Sequence, residues 1–366
     1  MDLKKSSLLI LLLSIILCGC SQKEKIIIEV PGGNPVANSY MDSAGEAIKQ
    51  SDYVTALNYY LKAEDIYLNL KDSNENELAG IYNMIGRCYM QLSNYYKAEE
   101  YLKKSAIIGE KKSDETLNFD NYINLMKIYY SITADMEMAL DYGKKSEILA
   151  IKLYGDKSSE LSEVYSDFSK IYLNMEDYDT AYNYIKKALN ITNDLYGENS
   201  EDSAIIYKDL ADMYKKQKQY DSAKDYLEKA VEIFENKNNQ YWLAYVYSDL
   251  GSISSDIKEY ENALNYYNKS LEVYDKWGEI DFDLAKIHYW RAESLYNLKK
   301  YELSKQELLL SHQICKSLPI QSELTAALIT YIKDDLKVIY DYNFEGDKSD
   351  GFEAWYKELI STQAVQ

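Results

Sequence analysis

One short pattern returns seven times along this 366-residue chain: an aromatic or apolar residue, two spacers, then a small residue. The pairs are Tyr53/Ala56, Tyr95/Ala98, Met136/Ala139, Tyr178/Ala181, Tyr220/Ala223, Tyr260/Ala263 and Tyr301/Ser304. Successive small residues lie 42, 41, 42, 42, 40 and 41 positions apart. A fixed period of this length marks a stacked array, in which each unit buries its apolar face against its neighbours. Arrays of this kind present a long surface rather than an enclosed reaction chamber, so binding is the expected mode of action.

Inside each period the apolar residues recur at helical spacing. In the fifth unit Ile206, Leu210, Met213 and Tyr214 form one stripe, and Ala223, Leu227, Ala230 and Val231 form the next. The polar run 215–219 between them predicts a tight turn, so each unit is a pair of helices. Only three prolines interrupt the chain, and glycine is sparse, which suits long helices and not a turn-rich β architecture. Asp179, Asp221 and Glu261 follow the entering tyrosine, where a carboxylate favours the helix N-terminus. The links at Gly155 and Gly197 fit left-handed C-caps, with Ser158 and Ser200 as N-caps of the following helices. Many of the 39 tyrosines fall into columns, among them Tyr59, Tyr101, Tyr142, Tyr184, Tyr226 and Tyr266, three positions after the small residue. Such a column reads as packing. A lysine column (Lys62, Lys104, Lys145, Lys187, Lys229 and Lys269) reads as a solvated outer face.

Together these positions resemble tetratricopeptide repeats. That pattern pairs a small residue and an aromatic on the first helix with an aromatic at the turn, then Ala, an aromatic or apolar residue, and a small residue on the second. Unit four supplies Ser169, Tyr172, Tyr178, Ala181, Ile185 and Ala188; unit five supplies Ala211, Tyr214, Tyr220, Ala223, Leu227 and Ala230. The period exceeds the usual ~34 residues and, with the Leu-Tyr-Gly-acidic links, resembles the variant in kinesin light chains. Unit three departs by one extra residue in its turn, and unit seven by Ser304 and Leu308. The resemblance implies an all-α, right-handed superhelical solenoid of stacked antiparallel helix pairs. Seven repeats are expected over 38–318, closed by a C-terminal helical cap over 319–366. It also implies a concave groove lined by first helices. Carried over position by position, the groove residues are Asn83, Arg87, Lys127, Ser166, Lys170, Lys208, Asp212, Lys215, Ser248, Ser252, Tyr289 and Glu293. Two readings stand: a groove for an extended acidic or polar peptide, since several are basic, and a mixed solvated face. The Lys/Asn/Lys/Arg set with which some family members grip a C-terminal carboxylate is missing.

The N-terminus carries a second signal. Lys4 and Lys5 precede an apolar run over 8–17, too short to span a bilayer, which ends in Leu17-Cys18-Gly19-Cys20. This junction resembles the lipobox of bacterial lipoproteins. By that resemblance residues 1–19 are a signal peptide and Cys20 is lipidated, giving a palmitate-bearing envelope protein. Residues 20–37 then form a tether. Ser21 in place of Asp favours the outer membrane where the cell has one, and otherwise the outer face of the cytoplasmic membrane. The formal charge of −19 becomes −20 after cleavage and opposes nucleic-acid binding.

Other motifs carry little. Segment 341–352 has only part of a calcium loop, with Phe352 where an acid belongs. His288 and His312 stand alone as metal ligands. Cys88 and Cys315 lie five repeats apart, too far for a bridge, and read as core residues. No cofactor motif occurs, and nothing singles out a catalytic pair. The expected function is a non-catalytic, lipid-anchored scaffold or adaptor for a protein or peptide partner. The alternative is an envelope lipoprotein that captures a peptide or glycan with groove tyrosines, or that regulates an enzyme.

Overall fold

The computed structural model describes residues 34–70, 75–278, 280–318, 322–343 and 351–362. The expected signal peptide, Cys20 and most of the expected tether lie outside them, as does much of the candidate calcium loop. Among the described residues there are sixteen α-helices and no strand. No described helix is long and apolar enough to cross a membrane.

The chain divides into two compact units at Gly197/Glu198. The first contains α1 (Pro35–Lys49), α2 (Tyr53–Leu68), α3 (Glu75–Gln91), α4 (Tyr95–Lys112), α5 (Glu115–Ile128), α6 (Met136–Tyr154), α7 (Ser159–Asn174) and α8 (Tyr178–Tyr196). The second contains α9 (Glu201–Lys216), α10 (Tyr220–Lys237), α11 (Gln240–Asp256), α12 (Tyr260–Trp277), α13 (Phe282–Asn297), α14 (Tyr301–Ser317), α15 (Glu323–Asn343) and α16 (Gly351–Thr362). Within each unit consecutive helices pack as pairs, and pairs stack on pairs. First helices also touch first helices, α3 with α5, α5 with α7, α11 with α13 and α13 with α15. Those contacts bring the first-helix side chains into one row inside each unit.

The recurring small residues lie where two helices meet. Ala56, Ala98, Ala139, Ala181, Ala223 and Ala263 have no exposed surface, and Ser304 is 1% exposed. Here the backbones approach too closely for larger groups. At Gly251 an added Cβ would come within 2.6 Å of the Tyr267 ring. Three serines use the same proximity. Ser105, Ser270 and Ser311 donate to the carbonyls of Ala79, Ala244 and Ala285, at 2.8, 2.6 and 2.6 Å, each 26 residues earlier.

The tyrosine column fills the wedge beside these contacts. Tyr142, Tyr184 and Tyr226 stack nearly parallel on Tyr129, Tyr172 and Tyr214, with ring centroids 5.5–5.6 Å apart. Pairs of this kind contribute about 0.5–1.5 kcal/mol beyond area burial. The lysine column is more than a solvated face. Lys104, Lys145, Lys187 and Lys229 hold their ammonium groups 4.7–5.0 Å from the centroids of Tyr101, Tyr142, Tyr184 and Tyr226. A tyrosine pair under a lysine therefore recurs from repeat to repeat.

Turns follow one scheme. In each pair the residue two before the second helix has a left-handed backbone: Ser51, Ser93, Ala134, Glu176, Lys218, Lys258 and Lys299, with φ between 54° and 65°. The residue after it often caps the helix, as Asp52, Asn94, Asp135 and Asp177 accept a backbone N–H three positions on. Ser158 and Ser200 cap the helices after the inter-repeat links, as expected. Gly155 and Gly197 depart from the expected left-handed C-cap. Their φ/ψ of 95°/171° and 87°/160° lie in a region that is essentially glycine's alone. The extra residue of unit three is absorbed as a π-turn, Tyr129–Thr133, at the end of α5.

The C-terminal cap forms as expected. Leu324, Leu328, Ile332, Leu336, Ile339 and Tyr340 are all buried, with α15 against α14 and α13. Cys88 and Cys315 are free, buried thiols, whose burial pushes both up to about 12.

Ala134 holds its left-handed conformation with no polar side chain to offset the strain, which costs an L-residue about 1–2 kcal/mol. Ala134→Gly is therefore expected to stabilise the protein by ~0.5–1 kcal/mol, after the extra unfolded-state entropy of glycine. A urea melt checks this, and an unchanged or lower midpoint would contradict it.

Candidate functional site

The row of first helices places the expected groove residues in two separate sets, one per unit. In the first unit Lys127, on α5, reaches across to α7. Its Nζ lies 2.6 Å from Glu163 and 3.8 Å from Asp167. Lys170, one turn along α7, stands 3.6 Å from Asp167. Asp167 is buried and also accepts from the Tyr130 hydroxyl at 3.0 Å. The surrounding protein costs the Glu163 carboxylate some hydration, although its side chain is still 45% exposed. Lys127 above all, with Lys170 and Arg87 adding, outweighs that cost and holds the carboxyl below its usual range. Asn83 is buried and donates to Asn121 at 3.0 Å, and Ser166 is buried beside Asp167. Arg87 lies one turn beyond Asn83 and is only partly buried.

In the second unit Lys208, on α9, bonds Asp212 at 2.8 Å and stands 3.6 Å from Asp249 on α11. Its ammonium also sits 5.1 Å from the centroid of the Tyr245 ring. Lys215 donates to Ser252 at 2.7 Å and approaches Asp256 at 3.6 Å. Ser248 is buried next to Asp249. Burial raises the Asp249 carboxyl to about 6, with Lys208 opposing and Asp212 reinforcing the shift.

Lys127, Lys170, Lys208 and Lys215 are thus engaged with carboxylates, most of them on the next first helix. Lys127 with Glu163, Lys208 with Asp249, and Lys215 with Asp256 each link two repeats. The result is a mixed-charge surface and not a bare cationic stripe. The acidic partners were missed in the sequence, although each stands 36 or 41 residues after its lysine, close to one repeat period.

Tyr289 does not face a groove. It is 2% exposed, and its hydroxyl donates to Asp335 on the cap helix α15. His288 and Arg291 both bind Glu307, and His312 packs edge-on against Tyr356 of α16. The two histidines therefore serve the end of the second unit separately.

This arrangement defines a repeat protein with charged first-helix faces. Tetratricopeptide repeat models match residues 79–106, 160–236 and 241–276. Those stretches therefore carry tetratricopeptide repeats. Similar solved structures include yeast Tom70, with TM-score 0.62 and 16% identity over 94% of this chain and 68% of that one. RapI in its apo form gives TM-score 0.57 and 15% identity over 76% and 97%. NprR in complex with its cognate peptide NprX gives TM-score 0.54 and 17% identity over 90% and 88%. At these identities the likeness is one of fold. No curated protein matches the chain in sequence.

Burial raises the Asp335 carboxyl to about 7; the Tyr289 hydrogen bond opposes the shift and Asp334 adds to it. The folded protein then keeps a proton that the unfolded chain loses near pH 4, so this site's contribution to stability falls as pH rises toward 7. Asp335→Asn keeps the shape and removes the charge. Its melting temperature at pH 8 is expected to exceed that of the native protein by a few degrees, with a shallower decline between pH 5 and 8. Equal pH slopes in thermal melts would rule the burial argument out.

Proposed function

We propose that the protein is a non-catalytic adaptor, lipid-anchored at Cys20 to a bacterial cell envelope, that holds a protein or peptide segment along its first-helix face. The main support is the cross-repeat ion pairing within each unit, Lys127–Glu163 in the first and Lys208–Asp249 in the second. Such pairing offers alternating charge to an extended polar segment and fixes its register. The similarity to NprR, solved with its cognate peptide, supports a peptide as occupant. The stacked, lysine-covered tyrosines are already engaged in packing, which weighs against glycan capture by a tyrosine wall.

The groove reading is tested with Arg87→Glu/Lys170→Glu. Crosslinked partner recovered with this variant is expected to fall about tenfold, in line with the loss of interfacial charge pairs, while the helical circular dichroism stays unchanged. Unaltered recovery would reject the groove as the docking face. The anchor rests on the basic start, the apolar run and Cys20. Cys20→Ala is expected to move the protein from the membrane fraction to the soluble one, and retention in the membrane would place the anchor elsewhere.

A further inference from the structure

The first repeat keeps an open hollow of about 580 Å³ between α1 and α2, within the ~300–1,000 Å³ typical of ligand pockets. Val36 and Tyr40 of α1 and Leu61 and Ile66 of α2 give it apolar walls, and the exposed Lys62 and Asp65 complete the lining. Two comparisons with the other repeats mark it as a surface made to be covered. Leu61 stands five positions after the small residue of its repeat. The five middle repeats carry Lys103, Lys144, Lys186, Glu228 and Asn268 at that position, and the last carries Leu309. Leu309 is 3% exposed, and His312, one turn on along α14, packs against Tyr356 of the cap helix α16. The position is therefore apolar only in the two end repeats, and in the last of them it is buried. Val36 gives the second comparison. It precedes Tyr53 by the same distance as Leu161 and Leu243 precede Tyr178 and Tyr260. Those two are 2% and 7% exposed, on helices packed against the preceding repeat, whereas Val36 is 58% exposed. Among the described residues no element precedes α1.

The chain itself supplies a cover of matching chemistry. Ile26-Ile27-Ile28-Glu29-Val30 lies outside the described residues and places four apolar side chains in five positions. Pro31-Gly32-Gly33 joins it to Asn34, and the two glycines let the chain reverse there. Asn34 is fixed beside α2, since its backbone N–H donates to the Tyr67 hydroxyl at 3.2 Å, one residue from Ile66 of the hollow. From Asn34 back to Ile28 an extended chain reaches up to ~20 Å, whereas Tyr40 lies only ~9 Å along α1 from Asn34. The segment therefore spans the hollow with length to spare. Lys25 and Glu29 also give it one charge of each sign, as Lys62 and Asp65 give the hollow.

We propose that residues 26–30 fold back over Pro31-Gly32-Gly33 and dock in the hollow between α1 and α2. Ile26, Ile28 and Val30, which share one face of an extended strand, seat against Val36, Leu61 and Ile66. The segment closes the first repeat as α15 and α16 close the last. One consequence rests on the lipid-anchor reading: only residues 21–25 then separate Cys20 from the folded body, a span of at most ~18 Å instead of ~45 Å for 21–33. The docking itself does not depend on that reading.

The test measures how fast maleimide labels Leu61→Cys in the full chain, read by mass on the peptide that contains position 61. Adding Ile26→Asp, Ile28→Asp and Val30→Asp is expected to speed that labelling about tenfold, because the docked segment no longer shields the thiol. Leu303→Cys, at a position 49% exposed on α14, should label equally fast with and without the three substitutions. Equal rates at position 61 would overturn the proposal. Protection that disappears on dilution would put a second copy in the hollow and overturn it too. A second measurement pairs Ile28→Cys with Leu61→Cys. Mild oxidation is expected to close a disulfide within one molecule, which needs Cα atoms within about 7 Å; a bridge formed only between molecules would contradict the fold-back. The same results are expected in the Cys20→Ala chain, so the docking is decided separately from the anchor.

Discussion

Close backbone approach at a small, fully buried side chain is the contact on which the rest of each unit depends. Ala98, Ala181 and Ala263 meet the neighbouring helix with no surface left over. Gly251 shows how little room remains, since even one added carbon would press into the Tyr267 ring. Once two helices are set this close, the larger residues beside the contact have a fixed wedge to fill. Tyrosine fills it with a flat ring and keeps its hydroxyl at the edge, where lysine covers the ring face. The same spacing sets which first-helix residues face those of the next repeat.

That geometry turns lysines that look available in the sequence into connectors. A lysine on one first helix and a carboxylate on the next lie within ion-pair reach because the helices stack in register. Lys127 with Glu163 is the clearest case in the first unit, and Lys208 with Asp249 in the second. A segment lying along such a face meets both signs of charge in turn. Charge of this kind selects partners and orients them more than it adds affinity.

The fold was legible because its signals are local and repeated. The tyrosine–alanine spacing, the polar turns, and the Ser158 and Ser200 caps each point to the same helix pairs. Legibility fell where the deciding partner lies a repeat away. Glu163 and Asp249 carry no local signal, and Tyr289 looked like a groove residue until α15 covered it. Gly155 and Gly197 were recognisable as positions of positive φ. Their extended ψ depends on how the next pair is placed, which the dipeptide itself does not encode.

The sequence alone determined the helix pairs, their number and the small residues at their crossings, because helical periodicity and steric limits act over a few neighbouring residues. Tertiary structure decided which charges neutralise one another from repeat to repeat and which residues, such as Tyr289, a later helix covers. Those outcomes depend on distances between residues about one repeat apart, and such distances exist only after the helices have packed.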